Sequence, residues 1–82
     1  MVITVRLQNE IIDEIAKHLG VTSQDIDLNA TLSEDMGLGP IELADLLTAL
    51  SQKFELTFDP REIERLREVK DLVELVEDLS LE

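Results

Sequence analysis

The sequence predicts an all-α fold: a small four-helix bundle with a long loop between helices 1 and 2 and a short helix 3. Three observations carry that reading. Apolar side chains recur every three or four residues in the stretches 11–19, 43–54 and 69–79, the period of a helix with one buried face. "GPIE" at 39–42 and "DPRE" at 59–62 each place a cap residue, then Pro, then Glu two positions on, as helix starts do. Gly20 follows the first stripe directly, where helices commonly stop.

Helix 1 is expected over residues 4–19, with Ile11, Ile12, Ile15 and Leu19 on one face. Its beginning is open, because "VITVRLQ" alternates as a strand would. Asp13 and Lys17 lie one turn apart and are expected to pair on the outer face. Residues 21–39 form a connection whose length, in so small a chain, implies function or packing of its own. Val21, Ile26, Leu28, Leu32, Met36 and Leu38 punctuate it regularly, so it is expected to pack across one end of the bundle. Thr31 and Glu34 have capping-box spacing, which predicts a short helical turn near "TLSEDM".

Helix 2 is expected over 40–54, where Leu43, Leu46, Leu47, Leu50 and Phe54 form a stripe and Glu42 and Asp45 fall on another side. Helix 3, residues 60–66, starts with Asp59 as cap, Pro60 first and Glu62 third. Helix 4, residues 68–79, turns Val69, Leu72, Val73, Val76 and Leu79 inward. Leu81 and Glu82 carry no weight in this reading. Proline is comfortable at the first helical position because the N–H it lacks would have no partner within the helix. The Glu after it favours the positive end of the helix dipole.

At 82 residues the chain is expected to be one domain with a single modest core. Its 44% apolar content, arranged in stripes, excludes disorder. No run reaches membrane-spanning length, and the basic start and apolar block of a secretion signal are absent. With no cysteine, neither a disulfide framework nor a thiolate metal site forms, and a cytoplasmic location is expected. Nineteen acidic against seven basic side chains give a formal net charge of -12, which argues against nucleic acid or an anionic membrane surface as partner. No Trp or Tyr is present to stack on a base. Partners with basic docking patches suit the charge, though acidity serves solubility as well.

Candidate chemistry is sparse. Asp25, Asp27 and Asn29 match the first positions of a calcium loop, but Ala30 stands where its Gly should be and Met36 where its bidentate Glu should be. No metal is therefore expected. His18 is the only histidine and has no Cys or second His to work with; it reads as a surface residue near a helix C-terminus. The many carboxylate pairs are what so acidic a chain produces by chance. No catalytic residue is assigned and the chain is not expected to be an enzyme.

Four stretches taken in order, "EIAKHLGV", "TSQDIDLNATLSEDMGLG", "PIELADLLTALSQKFEL" and "DPREIERLREVKDLVELV", resemble the acyl carrier protein family over about seventy residues. They are similar to the end of its first helix, its long loop, its recognition helix, and its short third and closing fourth helices. The most specific portion is the junction Asp35-Met36-Gly37-Leu38-Gly39-Pro40-Ile41-Glu42, where the family reads Asp-Leu-Gly-x-Asp-Ser-Leu-Asp. In that register Pro40 occupies the family's modified serine. That serine's hydroxyl becomes linked by a phosphodiester to the phosphopantetheine arm that carries the acyl group. A helix N-terminus suits the phosphate, since free N–H groups and the positive dipole end face it. Pro40 brings neither an oxygen nucleophile nor an N–H, and Gly39 replaces the family's usual Asp. Ser33 and Ser51 lie outside the required context, so no cofactor is expected on this chain.

The resemblance implies a module of fatty acid, polyketide or related acyl-transfer metabolism that docks, as a monomer, on acyl-handling enzymes through helix 2. Gly39, Ile41, Glu42 and Asp45 are the implied docking residues. Lower on the helix the family's acidic run gives way to Ser51, Gln52 and Lys53, which implies weaker binding to enzymes that grip that half. Leu46, Leu50, Phe54, Ile63, Leu66, Val73 and Val76 are the side chains expected around any cavity for an acyl chain. A cargo-free adaptor for protein–protein assembly and a noncovalent lipid binder stand as alternatives.

Overall fold

Four helices carry the chain in the computed structural model, which describes residues 2–80: α1 (Val2–Leu19), α2 (Pro40–Phe54), α3 (Pro60–Glu64) and α4 (Val69–Ser80). Leu81 and Glu82, set aside above, lie outside the described residues. α1 begins at Val2 rather than at residue 4, so the alternating "VITVRLQ" is helical. A helix satisfies its own backbone groups, whereas a strand there would need a partner, and no strand is present among the described residues.

Gly20 closes α1 with a φ of 75°. Its N–H donates to the Lys17 carbonyl and that of Val21 to Ala16, the paired bonds of a left-handed helix cap. Val21 was expected to pack across the bundle end. Its backbone serves the cap instead, and its side chain is exposed. α2 ends the same way without a glycine: Glu55 takes φ 54°, ψ 54°, and both its N–H and that of Leu56 point to the Ser51 carbonyl.

The long connection packs by its own apolar residues. Leu32 and Leu38 are buried, and Ile26, Leu28 and Met36 lean on the core half-buried. The expected Thr31–Glu34 box is instead Thr31–Asp35: Asp35 N–H donates to Thr31 Oγ1 at 2.9 Å, and Thr31 N–H to Asp35 Oδ2 at 3.0 Å. It closes turns rather than a helix. The same segment then pins the start of α4. Val69 and Lys70 donate to the Ala30 and Leu28 carbonyls at 2.9 Å each, and Leu32 donates back to Arg67 at 2.8 Å. Asp71 Oδ2 accepts from the N–H groups of Arg67 and Glu68 at 3.2 and 3.0 Å. This pairing draws residues 66–68 out of helical conformation. α3 therefore stops at Glu64, short of residue 66, and α4 starts at Val69, one residue late.

The core is built from three stripes: Ile11 and Ile15 of α1, Leu46 and Leu50 of α2, and Val69, Leu72, Val73 and Val76 of α4, all fully buried. Ile12 and Phe54 pack against it half-buried, and Leu79 is half-buried near the end of α4. Charge pairing is peripheral. Lys53 of α2 reaches Glu14 of α1 at 3.9 Å, and the expected Asp13–Lys17 pair is not among the ion pairs formed. Such a partly exposed contact, stretched to that distance, contributes about 0–1 kcal/mol, so apolar burial holds the helices together. No described helix is long and apolar enough to cross a membrane.

Candidate functional site

The N-terminus of α2 is built differently from that of α3, although both begin with Pro. At α3, Asp59 Oδ1 accepts the Arg61 N–H at 2.8 Å, a conventional side-chain cap. At α2 the cap residue is Gly39, extended at φ -79°, ψ 178°, with no side chain to offer. Its carbonyl accepts the Leu43 N–H at 2.9 Å. Glu42 turns its carboxylate back over the gap, so that a Cβ added to Gly39 would lie 2.7 Å from Glu42 Oε1. A carboxylate is favoured there by the positive end of the helix. No hydroxyl stands at this helix start: residues 39–42 are Gly, Pro, Ile and Glu.

Pro40, Ile41, Glu42 and Asp45 are exposed on the first turns of α2, and Gly39 is half-buried. Ile41 is 75% exposed, far more than a large apolar residue with a core to join. Ile41 thus faces solvent on the same first turns as the exposed Glu42 and Asp45.

One side of α2 also walls an open apolar groove of about 520 Å³. Pro40, Leu43, Ala44, Leu47, Thr48 and Ser51 line it from α2, Leu56, Thr57 and Phe58 from the connection after α2, and Ile63 from α3. Of the residues expected around a cavity, only Ile63 borders this groove. Leu46, Leu50, Val73 and Val76 belong to the close-packed core, and Phe54 and Leu66 rest half-buried against it. The groove lies beside the core stripe rather than inside it. Its signal was present in the sequence, because Pro40, Leu43, Ala44, Leu47 and Ser51 share one face at helical spacing.

The other candidates do not form sites. Asp25 accepts the Thr22 hydroxyl, and Asp27 accepts the Asn29 N–H, so both serve their own turns. Among the described residues no three His, Asp or Glu side chains come together as metal ligands would. His18 is exposed near the end of α1. Ser33 is exposed in the connection, and Ser51 Oγ donates to the Thr48 carbonyl eleven residues into α2.

Helix order, the long loop and the junction at residue 40 form a recognisable pattern. A sequence model described as "Phosphopantetheine attachment site" matches residues 9–76. The chain belongs to the acyl carrier protein family. It is 31% identical over 68 residues to an acyl carrier protein of Campylobacter concisus, covering 83% of this chain and 88% of that one. To an acyl carrier protein of Exiguobacterium sibiricum it is 32% identical over 65 residues, covering 79% and 82%. The fold is similar to the crystal structure of an acyl carrier protein from Thermotoga maritima, with a TM-score of 0.73, 25% identity, and coverage of 93% of this chain and 88% of that one. Members of this family are carriers rather than enzymes.

Proposed function

We propose that this chain is an acyl-carrier-type module of fatty acid, polyketide or related acyl-transfer metabolism that does not itself take up a phosphopantetheine arm. It docks on acyl-handling enzymes in the cytoplasm through the start of α2, where Gly39, Ile41, Glu42 and Asp45 form the contact. Pro40 carries the reading. It fills the first helical position of α2, where the family attaches its arm, with a ring that has no oxygen and no N–H. The residues present therefore do not fit the cofactor.

Restricted docking follows from the lower half of α2. Ser51 is turned into the groove and Lys53 toward Glu14, so acidic character is concentrated at the top. A basic patch on a partner is steered to that end by charge, with Ile41 supplying apolar contact. A cargo-free adaptor is the second reading, favoured by the same Pro40, because docking needs only the surface.

Intact mass after incubation with coenzyme A and a broad-specificity phosphopantetheinyl transferase tests this. The expected result is no gain for the chain as it stands and one arm added to Pro40→Ser. A gain in the unaltered chain refutes the reading and directs attention to Ser33 or Ser51. If Pro40→Ser stays unmodified as well, the surface no longer suits such a transferase, and the adaptor reading replaces the carrier one.

A further inference from the structure

α4 buries one stripe in the core and carries a second, different one. Asp71, Glu74, Leu75 and Asp78 follow the i, i+3, i+4, i+7 spacing of a single helical face. With Glu62 of α3, and Arg65 and Leu66 just after it, they line an open cleft of about 390 Å³. Leu66 leans on the core from its half-buried position, whereas Leu75 is half-buried and stands apart from the core cluster. α3 divides this cleft from the groove beside α2: Ile63 lines the groove, Glu62 the cleft.

The charges lining the cleft are lopsided, with four carboxylates against Arg65. Other bases close by in sequence are engaged elsewhere. Arg61 reaches Asp59 at 3.6 Å, Lys70 reaches Glu68 at 3.4 Å, and Arg67 lines a separate hollow with Ser33. Asp71 holds the start of α4 through Oδ2. Glu62, Glu74 and Asp78 form no ion pair among the described residues. Next to them Glu77 has its carboxyl raised, by burial first and then by Asp78 and Glu74, so these acids repel one another rather than being neutralised within the chain.

We propose that the α3–α4 cleft is a second docking face, for a cationic amphipathic helix of a partner protein. Its apolar side chains lie on Leu66 and Leu75, and its Lys or Arg side chains meet Glu62, Glu74 and Asp78. An apolar centre with charge at the rim is the usual build of a protein interface, and the charge here calls for a basic partner. Glu74 and Asp78 stand one turn apart, about 6 Å along α4, the spacing at which a helix laid alongside presents its own i and i+4 side chains. The same acids repel nucleic acid and anionic membranes. No α2 residue lines this cleft, so the face stands whatever the start of α2 binds and whether or not residue 40 takes an arm. With two faces, one chain can hold two proteins together, which is what an adaptor does.

A capped Leu/Lys peptide of about four helical turns, patterned to place its leucines on one face, provides the test when titrated into the intact, isotope-labelled protein at physiological salt. Amide NMR shifts are fitted separately at the cleft and at the start of α2. Saturating shifts are expected at Leu66, Glu74, Leu75 and Asp78. Glu74→Gln combined with Asp78→Asn, both at exposed positions, should weaken binding at the cleft about three- to tenfold while circular dichroism remains native. Glu42→Gln combined with Asp45→Asn removes the same charge from α2 and should change cleft binding less than about twofold. A scrambled peptide of the same composition, with no apolar face, should bind the cleft at least about fivefold more weakly. Absence of saturating shifts at the cleft overturns the docking face. Equal weakening by the two double variants overturns it as well, because net charge alone then draws the peptide. Scrambled peptide that binds as tightly as the patterned one overturns the amphipathic helix as occupant. The mass experiment reads attachment at residue 40 and this titration reads the cleft, so the two readings fail separately.

Discussion

Glu55 offers a sharp test of the backbone reading, because it ends α2 in a conformation that non-glycine residues resist. Its φ of 54° and ψ of 54° lie in the left-handed region, where a Cβ crowds the following carbonyl at about 1–2 kcal/mol per residue. Its carboxylate also stands at the negative end of the helix, worth a further penalty of about 0.3–1 kcal/mol. Glu55→Gly removes both. It also loosens the unfolded chain by about 0.5–1 kcal/mol, leaving a net gain near 1 kcal/mol. Glu55→Asn tolerates the left-handed conformation and loses the charge, so its gain should be similar. Glu55→Ala loses only the charge and should gain the least.

For a domain of this size 1 kcal/mol corresponds to about 4–8 °C in midpoint. Thermal melts followed by circular dichroism, with urea titrations alongside, should rank Gly and Asn above Ala, and Ala above Glu. If the Gly variant gains no more than the Ala variant, the effect is purely electrostatic and the claim of a strained cap fails.

Three further outcomes follow from the fold. Leu46→Ala, at a fully buried position, should lose about 2–5 kcal/mol in urea unfolding, whereas Ile41→Ala should stay within about 0.5 kcal/mol, since its side chain touches water rather than core. Asp71→Ala should lose about 0.5–2 kcal/mol and speed amide exchange first at Arg67 and Glu68, the two donors its carboxylate holds. Glu77 has its carboxyl raised above the ordinary 4.5 by burial first, then by the neighbouring charges of Asp78 and Glu74. A raised acid binds its proton more tightly folded than unfolded. Its contribution is therefore full below pH 4.5 and lost as pH rises through the folded value. Glu77→Gln should accordingly stabilise the protein at neutral pH, with the difference closing as melts are taken below pH 4.5.

Helix periodicity made the three core stripes legible, because burial acts on every third or fourth residue and leaves its mark in the order of side chains. The proline starts were legible for a similar reason: the rule at the first helical position is local. What sequence reasoning missed was set by partners far along the chain. Nothing in "LREVK" shows that Leu32 would take the Arg67 carbonyl, yet that bond and its neighbours decide where α3 stops and α4 starts. Thr31 choosing Asp35 over Glu34 is the same kind of choice, made by the path of the loop. The groove was missed because the core stripe and its neighbouring face overlap at Leu43 and Leu47, and apolar content alone assigns both to the interior.

The start of α2 combines two demands that one residue can satisfy separately. A helix N-terminus is a good place for a phosphate because its first N–H groups have no partner in the helix. It is a good place for proline for the same reason, since the N–H that proline lacks is one the helix never used. Pro40 therefore disturbs nothing in the fold: Leu43 still donates to the Gly39 carbonyl, and Leu46, Leu47 and Leu50 remain buried one to three turns further on. Chemistry and stability are uncoupled at this position. A chain can keep the bundle, the exposed Ile41 and the acids beside it while carrying no hydroxyl at the helix start. That uncoupling is why Pro40→Ser should keep the fold and lose only about 0.4–1 kcal/mol, the restriction that proline places on the unfolded chain.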